Sequence, residues 1–91
     1  MRKIFNTGFL LVAAAVLISS CVSVHLRTAN DYYAQFAYAS AAEEYEYVLV
    51  RRTDKQAVFN VADCYRQMGN AVKTEFWYKK AIKLNDDEPK W

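Results

Sequence analysis

An internal repetition restricts the folds open to this chain more than any other feature of its sequence. When the chain is shifted by 33 residues, identical or similar residues coincide in four places: Tyr32 with Tyr65, Tyr45 with Tyr78, Ala29 with Ala62, and Leu49 with Ile82. A period of this size indicates stacked supersecondary units, each of which buries its apolar face against the next. The sequence therefore predicts two copies of one small unit.

Apolar residues recur at helical spacing inside both copies. In the second copy one face carries Val58, Val61, Ala62, Tyr65 and Met68, and in the first an inward stripe carries Ala41, Tyr45, Val48 and Leu49. This spacing is typical of amphipathic helices. The chain has only two glycines and one proline, which disfavours a turn-rich sheet of many short strands.

Helix boundaries are predicted from capping signals. Thr28, Ser40 and Thr53 are each followed three residues later by an acidic or amide residue, which resembles a capping box. Gly69 is a candidate for the residue after a helix, and Asn70 for the cap of the next one. These signals predict helices over residues 28–36, 39–51, 54–68 and 70–84, joined by short links into antiparallel neighbours.

The amino terminus has the features of an export signal. Arg2 and Lys3 precede an unbroken apolar run of ten residues, 9–18, which is half of the roughly 20 needed to span a bilayer. Residues 17–21, Leu-Ile-Ser-Ser-Cys, resemble the bacterial lipobox. The resemblance implies a lipoprotein signal peptide over 1–20, acylation of Cys21 and a lipidated tether over 21–27. An ordinary signal peptide or an uncleaved anchor, with Cys21 incidental, is the alternative.

Charge and chemistry argue against two large classes of function. Removing residues 1–20 removes Arg2 and Lys3, which leaves ten basic and ten acidic residues, so we expect no nucleic-acid partner. The sequence has no glycine-rich phosphate loop, no metal-ligand spacing and no catalytic triad pattern, and His25 is its only histidine. We therefore expect a protein that is not an enzyme, with no cofactor, no metal and no catalytic residue, in which Cys64 is a small buried side chain.

A helix–turn–helix unit of about 34 residues resembles the tetratricopeptide repeat. The second copy, about 55–88, places Tyr65, Gly69 and Ala81 at signature positions, with Val58 where the signature has Trp. The first copy, about 28–54, is a poorer match, because Phe36 replaces the turn glycine. The resemblance implies an all-α fold of two tetratricopeptide-type repeats, a fragment of a right-handed α-solenoid, over residues 28–88.

Three stretches, residues 31–45, 60–70 and 75–82, resemble the amino-terminal repeat region of Bacteroidota outer-membrane proteins of the OmpA family. Some of these proteins serve type IX secretion. The resemblance implies a periplasmic scaffold or adaptor that mediates protein–protein interaction, as the amino-terminal part of a larger cell-envelope protein. Val22 stands where an inner-membrane lipoprotein of enteric bacteria has Asp, and no acidic export cluster follows. This implies a lipid anchor in the outer membrane, with the domain on the periplasmic face.

Tetratricopeptide arrays bind extended peptides in a groove lined by the first helix of each repeat. Carried onto this chain, the resemblance implies a partner-binding groove made of seven residues: Asn30, Tyr33, Phe59, Asn60, Asp63, Arg66 and Gln67. An amide can hold a peptide backbone, and Arg66 can pair with a carboxylate. The alternative is that Asp63 and Arg66 only pair with each other on a solvated face.

The carboxy-terminal residues suggest a third unit. Trp91 follows Val58 by one repeat period, so residues 89–91 are interpreted as the start of a third repeat. Phe76, Trp77 and Ile82 would then form an apolar face that the third repeat buries. In the 91-residue chain this face would be exposed, which predicts self-association through the last helix. Two alternatives stay open: a stand-alone mini-lipoprotein that docks on a partner complex, and a glycan-binding envelope module that uses its aromatic residues.

Overall fold

The computed structural model describes residues 20–86, which form four α-helices and contain no β-strand. Helix α1 covers residues 20–34, α2 Tyr38–Arg51, α3 Lys55–Gln67 and α4 Ala71–Asp86. Helix α2 packs on α3, and α3 packs on α4. The predicted all-α class is confirmed. The predicted signal peptide, except for Ser20, and the predicted third repeat lie outside the described residues.

Helix α1 begins earlier than the sequence predicts. The segment 21–27, expected to be a tether, is helical and continuous with residues 28–34. Val22 and Ala29 are both buried, and their spacing of two helical turns puts them on the same side of a helix. Thr28, expected to cap the helix, instead donates its hydroxyl to the Val24 carbonyl at 2.9 Å within it. The added turns arise because this segment has apolar residues to bury.

The remaining helix starts agree with the prediction to within one residue, but their caps partly differ. Helix α2 begins after Ala37, which makes no side-chain capping bond, so the predicted Ser40 cap is wrong. Helix α3 is capped by Asp54, not Thr53, because its Oδ1 accepts a 2.9 Å bond from the Ala57 amide. The predicted Asn70 cap is confirmed by a 3.1 Å bond from the Lys73 amide.

The turns after α1 and α3 share their backbone hydrogen-bond pattern. The Ala37 amide donates to the Tyr32 carbonyl at 2.9 Å, and the Asn70 amide donates to the Tyr65 carbonyl at 2.9 Å. The amides of Phe36 and Gly69 each donate to a carbonyl three residues earlier, both at 3.1 Å. This pair of bonds is the Schellman motif, which needs a left-handed residue. Phe36 (φ 62°) and Gly69 (φ 76°) supply it, so Phe36 does occupy the glycine position.

The core lies where α1, α2 and α3 meet. Its buried cluster consists of Ala29, Ala41, Ala42, Tyr45, Ala57, Val61, Cys64 and Tyr65. Half of this cluster is alanine, which lets helix backbones approach closely while the two tyrosine rings fill the space between them. Ala62 and Ala81 are also buried, as the repeat pattern predicts.

Candidate functional site

The seven predicted groove residues lie on two helices, and the structure connects six of them. Asn30 and Tyr33 are on α1, and the other five are on α3. Two hydrogen-bond networks join α1 to α3, one through the Tyr45 hydroxyl and one through the Asp63 carboxylate. The seventh residue, Phe59, lies one position before Asn60 on α3 and is partly exposed.

The first network is centred on the hydroxyl of a core tyrosine. Tyr45 Oη donates to Asn30 Oδ1 at 2.6 Å and accepts from Asn60 Nδ2 at 2.9 Å. The Tyr45 side chain is fully buried, and this burial raises the pKa of its phenol, while the Asn60 hydrogen bond opposes the rise. Gln56 Nε2 then donates to Asn60 Oδ1 at 2.9 Å. The network holds the amides of Asn30 and Asn60 in fixed orientations.

Sequence reasoning places Tyr45 in the core but misses the role of its hydroxyl. The signal is present in the spacing, because Tyr45 is equally far along the chain from Asn30 and from Asn60. In three antiparallel helices joined by short links, a residue in the middle helix faces residues at similar distances before and after it. Gln56 is also missed, although it lies four residues before Asn60, on the same helical face.

The second network is centred on Asp63. Tyr33 Oη donates to Asp63 Oδ2 at 2.5 Å, and Arg66 Nη2 donates to Asp63 Oδ1 at 2.6 Å. The hydrogen bond from Tyr33, followed by those from Arg66 and Gln67, holds the pKa of the Asp63 carboxyl below its usual range. The same bond raises the pKa of Tyr33 well above its ordinary value. The Asp63–Arg66 pair is confirmed, and Asp63 in addition ties α3 to α1.

The second network leaves donors directed to solvent. The Arg66 side chain is 57% exposed although it pairs with Asp63, and Gln67 is exposed, as is Asn30 of the first network. A guanidinium binds carboxylates, and amide side chains bind peptide backbone. This arrangement suits recognition of a polar chain.

Cys64 lies next to Asp63 in sequence but points into the core. Its side chain is fully buried, and burial raises the pKa of the thiol to about 11. A thiol with this pKa is almost entirely protonated at neutral pH, and the protonated form is a poor nucleophile. The expectation that Cys64 is a small buried side chain is confirmed.

A separate cluster joins the start of α1 to α2. His25 Nδ1 lies against Glu44 Oε2, and the His25 ring packs on the Tyr47 ring at a tilt of 33°, with 3.8 Å between centroids. The Arg51 guanidinium lies 3.5 Å from the centroid of the same Tyr47 ring. Sequence reasoning misses this cluster, because it places His25 in a tether. Helical spacing of Val22, His25, Leu26 and Ala29 is the signal that could have found it.

The predicted self-association face on α4 is divided in the structure. Phe76 is 51% exposed and Ile82 is 59% exposed, but six residues of helix separate them by about 120° around the axis. Trp77 is partly buried and packs against the core cluster. Its ring centroid lies 5.1 Å from that of Phe76, whereas Ile82 lies on another side of α4, so the three residues do not form one contiguous face.

Two further properties concern the described part of the chain. Cys21 is exposed in the first turns of α1. Within residues 20–86, no helix combines the length and hydropathy needed to cross a membrane, and no three His, Cys, Asp or Glu side chains are grouped to hold a metal ion.

Comparison of the sequence with protein-family models and with curated proteins, and of the structure with solved structures, gives no match. The residues and contacts of the chain itself therefore carry the case for its function.

Proposed function

We propose that this protein is a lipid-anchored adaptor built from tetratricopeptide-type repeats, which binds an extended segment of a partner protein on the face of α1 and α3. The observation that carries the proposal is the joining of α1 and α3 by Tyr45 and Asp63, beside exposed hydrogen-bonding groups. The proposed cellular setting is the periplasmic face of the outer membrane.

The repeat assignment is supported by the turns. The two Schellman bonds of the turn after α1 have counterparts in the turn after α3, displaced along the chain by the repeat period. Ala29 and Ala62, which are separated by the same period, are both buried. Equal turns and equal small-residue contacts at one period are what stacked helical hairpins require, because each hairpin buries its face on the next.

The binding face is supported by the state of its polar groups. Asn30 and Asn60 are oriented by the Tyr45 hydroxyl before any partner arrives. Groups that are already ordered lose less conformational entropy on binding, which favours affinity. Arg66 supplies a positive charge that is 57% exposed. We infer a partner segment that is extended, presents its backbone to the two amides and has a carboxylate near Arg66.

The anchor is supported by the sequence around Cys21 and by its exposure. The lipobox resemblance implies three acyl chains on this residue, and several chains hold a protein stably where one binds only marginally. Because 21–27 is helical, the lipid would join the folded domain directly. The resemblance to OmpA-family and type IX secretion-associated proteins extends the proposal to a role in the cell envelope, beside or within such a protein.

The partner face is tested by crosslinking in the producing cell. A photo-crosslinking amino acid at Phe59 should trap a partner protein, and Arg66→Ala should greatly reduce the adduct. Lys79→Ala, on α4 and also highly exposed, should leave the adduct unchanged. Equal adducts in both variants would refute the assignment of this face.

The anchor is tested separately with a clickable fatty acid. The wild-type chain should incorporate the label and fractionate with the outer membrane, and Cys21→Ser should do neither. Incorporation that persists in Cys21→Ser would refute acylation at this residue without bearing on the partner face.

A further inference from the structure

A groove runs between α2 and α4, and its lining shares no residue with the proposed partner face of α1 and α3. It consists of two adjoining cavities of about 290 and 540 Å³. Both cavities are lined by Leu49 on α2 and by Trp77 and Lys80 on α4. Because these three residues are shared, the two cavities form one elongated depression, which we call the α2–α4 groove.

The α2–α4 groove is apolar and open to solvent. The smaller cavity is lined by the apolar residues Leu49, Val58 and Leu84, and the larger cavity by Val50, Val72 and Phe76. The last three are 83%, 80% and 51% exposed. Large apolar side chains gathered beside a concave surface are typical of an interface. Val72 and Phe76 are four residues apart, so they form a stripe along α4.

The rim of the α2–α4 groove is positively charged. Four basic side chains line it, Arg52, Lys73, Lys80 and Lys83, against one acidic side chain, Glu46. Glu46 already accepts a hydrogen bond from the Tyr65 hydroxyl. Lys80 Nζ lies 4.6 Å from the Phe76 ring centroid and 5.1 Å from that of Trp77, so a cation stands directly over the apolar stripe.

We propose that the α2–α4 groove binds an amphipathic helix of a partner protein, one that carries acidic residues on both sides of an apolar stripe. The apolar stripe would pack on Leu49, Phe76 and Trp77, and the flanking carboxylates would pair with Lys80, Lys83 and Arg52. Helix α4 has 16 residues, about 24 Å of length, so the groove accommodates a partner helix of about four turns.

Shape and charge favour this occupant over two others. A flat bilayer would touch only the raised side chains, such as Val50 and Val72, and would leave the concave floor unfilled. A second copy of this chain would bring a second set of cations against Lys80 and Lys83, and like charges oppose association. The proposal does not depend on the partner face of α1 and α3, because the two surfaces are lined by different residues.

Binding to the α2–α4 groove can be measured by the fluorescence of Trp77, which lines it. The chain has two tryptophans, Trp77 and Trp91, so Trp91→Phe leaves Trp77 as the single fluorescent reporter. The full chain, kept in non-ionic detergent, is titrated with a synthetic helical peptide of about four turns. This peptide carries leucine along one stripe and glutamate at the flanking positions. A second peptide with lysine in place of glutamate is the charge control.

We expect the glutamate peptide to shift Trp77 emission to shorter wavelength in a saturable way, and salt to weaken the effect. Lys80→Glu should weaken binding about tenfold, whereas Lys79→Glu, the neighbouring residue, which pairs with Glu75, should leave it unchanged. Arg66→Ala should also leave it unchanged, which separates this groove from the partner face of α1 and α3.

Four results would overturn the proposal. Equal binding of the lysine and glutamate peptides would show that charge does not select the partner. Equal loss of affinity in Lys79→Glu and Lys80→Glu would show that the peptide does not bind in the α2–α4 groove. A Trp77 response to phosphatidylglycerol vesicles, but not to the peptide, would assign the groove to a bilayer. A dimer that Phe76→Ser abolishes, with no peptide response, would assign the groove to a second copy.

Discussion

The Tyr33 hydroxyl donates a 2.5 Å hydrogen bond to the Asp63 carboxylate, and the two residues lie far apart in sequence. This bond joins α1 to α3, and the carboxylate is held from its other oxygen by Arg66 on α3 itself. Asp63 is mostly shielded, with 21% of its side chain exposed. A shielded charge with partners on two helices resists their separation, so this pair links stability to the geometry of the proposed partner face.

Tyr33→Phe should lower the free energy of unfolding by about 1.5–3 kcal/mol, the usual contribution of a hydrogen bond to a charged group. Tyr32→Phe is the matched control, because it removes the same atom from the neighbouring, exposed residue. Denaturant unfolding of both variants measures the difference. Equal stability of the two would show that the Tyr33–Asp63 bond contributes nothing.

Acid should reduce the advantage of wild type over Tyr33→Phe. The folded protein lowers the pKa of Asp63, so this stabilisation is present above the unfolded pKa of about 3.9. It is lost as pH falls through the lower folded value. The difference in unfolding free energy between the two proteins should therefore be smaller at about pH 3 than at about pH 7. A difference that stays constant or grows in acid would contradict this linkage.

Substitutions at the two equivalent turn positions, Phe36 and Gly69, should change the stability of the protein in opposite directions. Phe36 holds a left-handed conformation that costs a residue with a β-carbon about 1 kcal/mol. Phe36→Gly should therefore raise the melting temperature. Gly69→Ala should lower the free energy of unfolding by about 1 kcal/mol, and this is a conformational effect because an added β-carbon would meet nothing within 4 Å. Destabilisation by Phe36→Gly would mean that contacts of the Phe36 ring outweigh the strain.

A ring inserted at a buried alanine should be far more damaging than the same ring on the surface. Ala62 is fully buried, so Ala62→Phe should lower the free energy of unfolding by about 1–3 kcal/mol or more, because the helices must move apart. Ala39→Phe, at an exposed position of α2, should change it little. Thermal melting followed by circular dichroism compares the two, and coincident curves would reject the packing at Ala62.

The two cysteines should differ in reactivity in unacylated protein. Cys21 is exposed, while Cys64 is buried with its pKa raised to about 11. At neutral pH a maleimide should modify Cys21 quickly and Cys64 only after unfolding, because the reactive form is an accessible thiolate. Intact mass should show one adduct on the native chain and two in denaturant. Rapid double labelling of native protein would contradict the buried position of Cys64.

Most of the features that could be predicted from the sequence depend on interactions between residues close together along the chain. Apolar spacing is enough to predict four helices, because a helix must bury one face whatever it packs against. The repeat period places Phe36 at the position of the turn glycine, although phenylalanine is a mismatch to the repeat signature there and does not predict the matching turn. Alanine at a repeat contact predicts the burial of Ala62. The Asp63–Arg66 pair was also predictable, since residues three apart on a helix are neighbours.

The tertiary structure decided the features that depend on contacts between helices. The segment 21–27 is helical because it buries Val22 and because α2 gives His25 a carboxylate and a ring to contact, and no local capping signal indicates these contacts. Tyr45 gains its second role because its hydroxyl meets Asn30 and Asn60 from two different helices. Phe76 lines the α2–α4 groove because folding places α2 beside that side of α4, and the sequence of α4 alone does not show which of its sides α2 will face. Helix formation and turn geometry depend on neighbours in sequence, whereas these features depend on side chains that folding alone brings together.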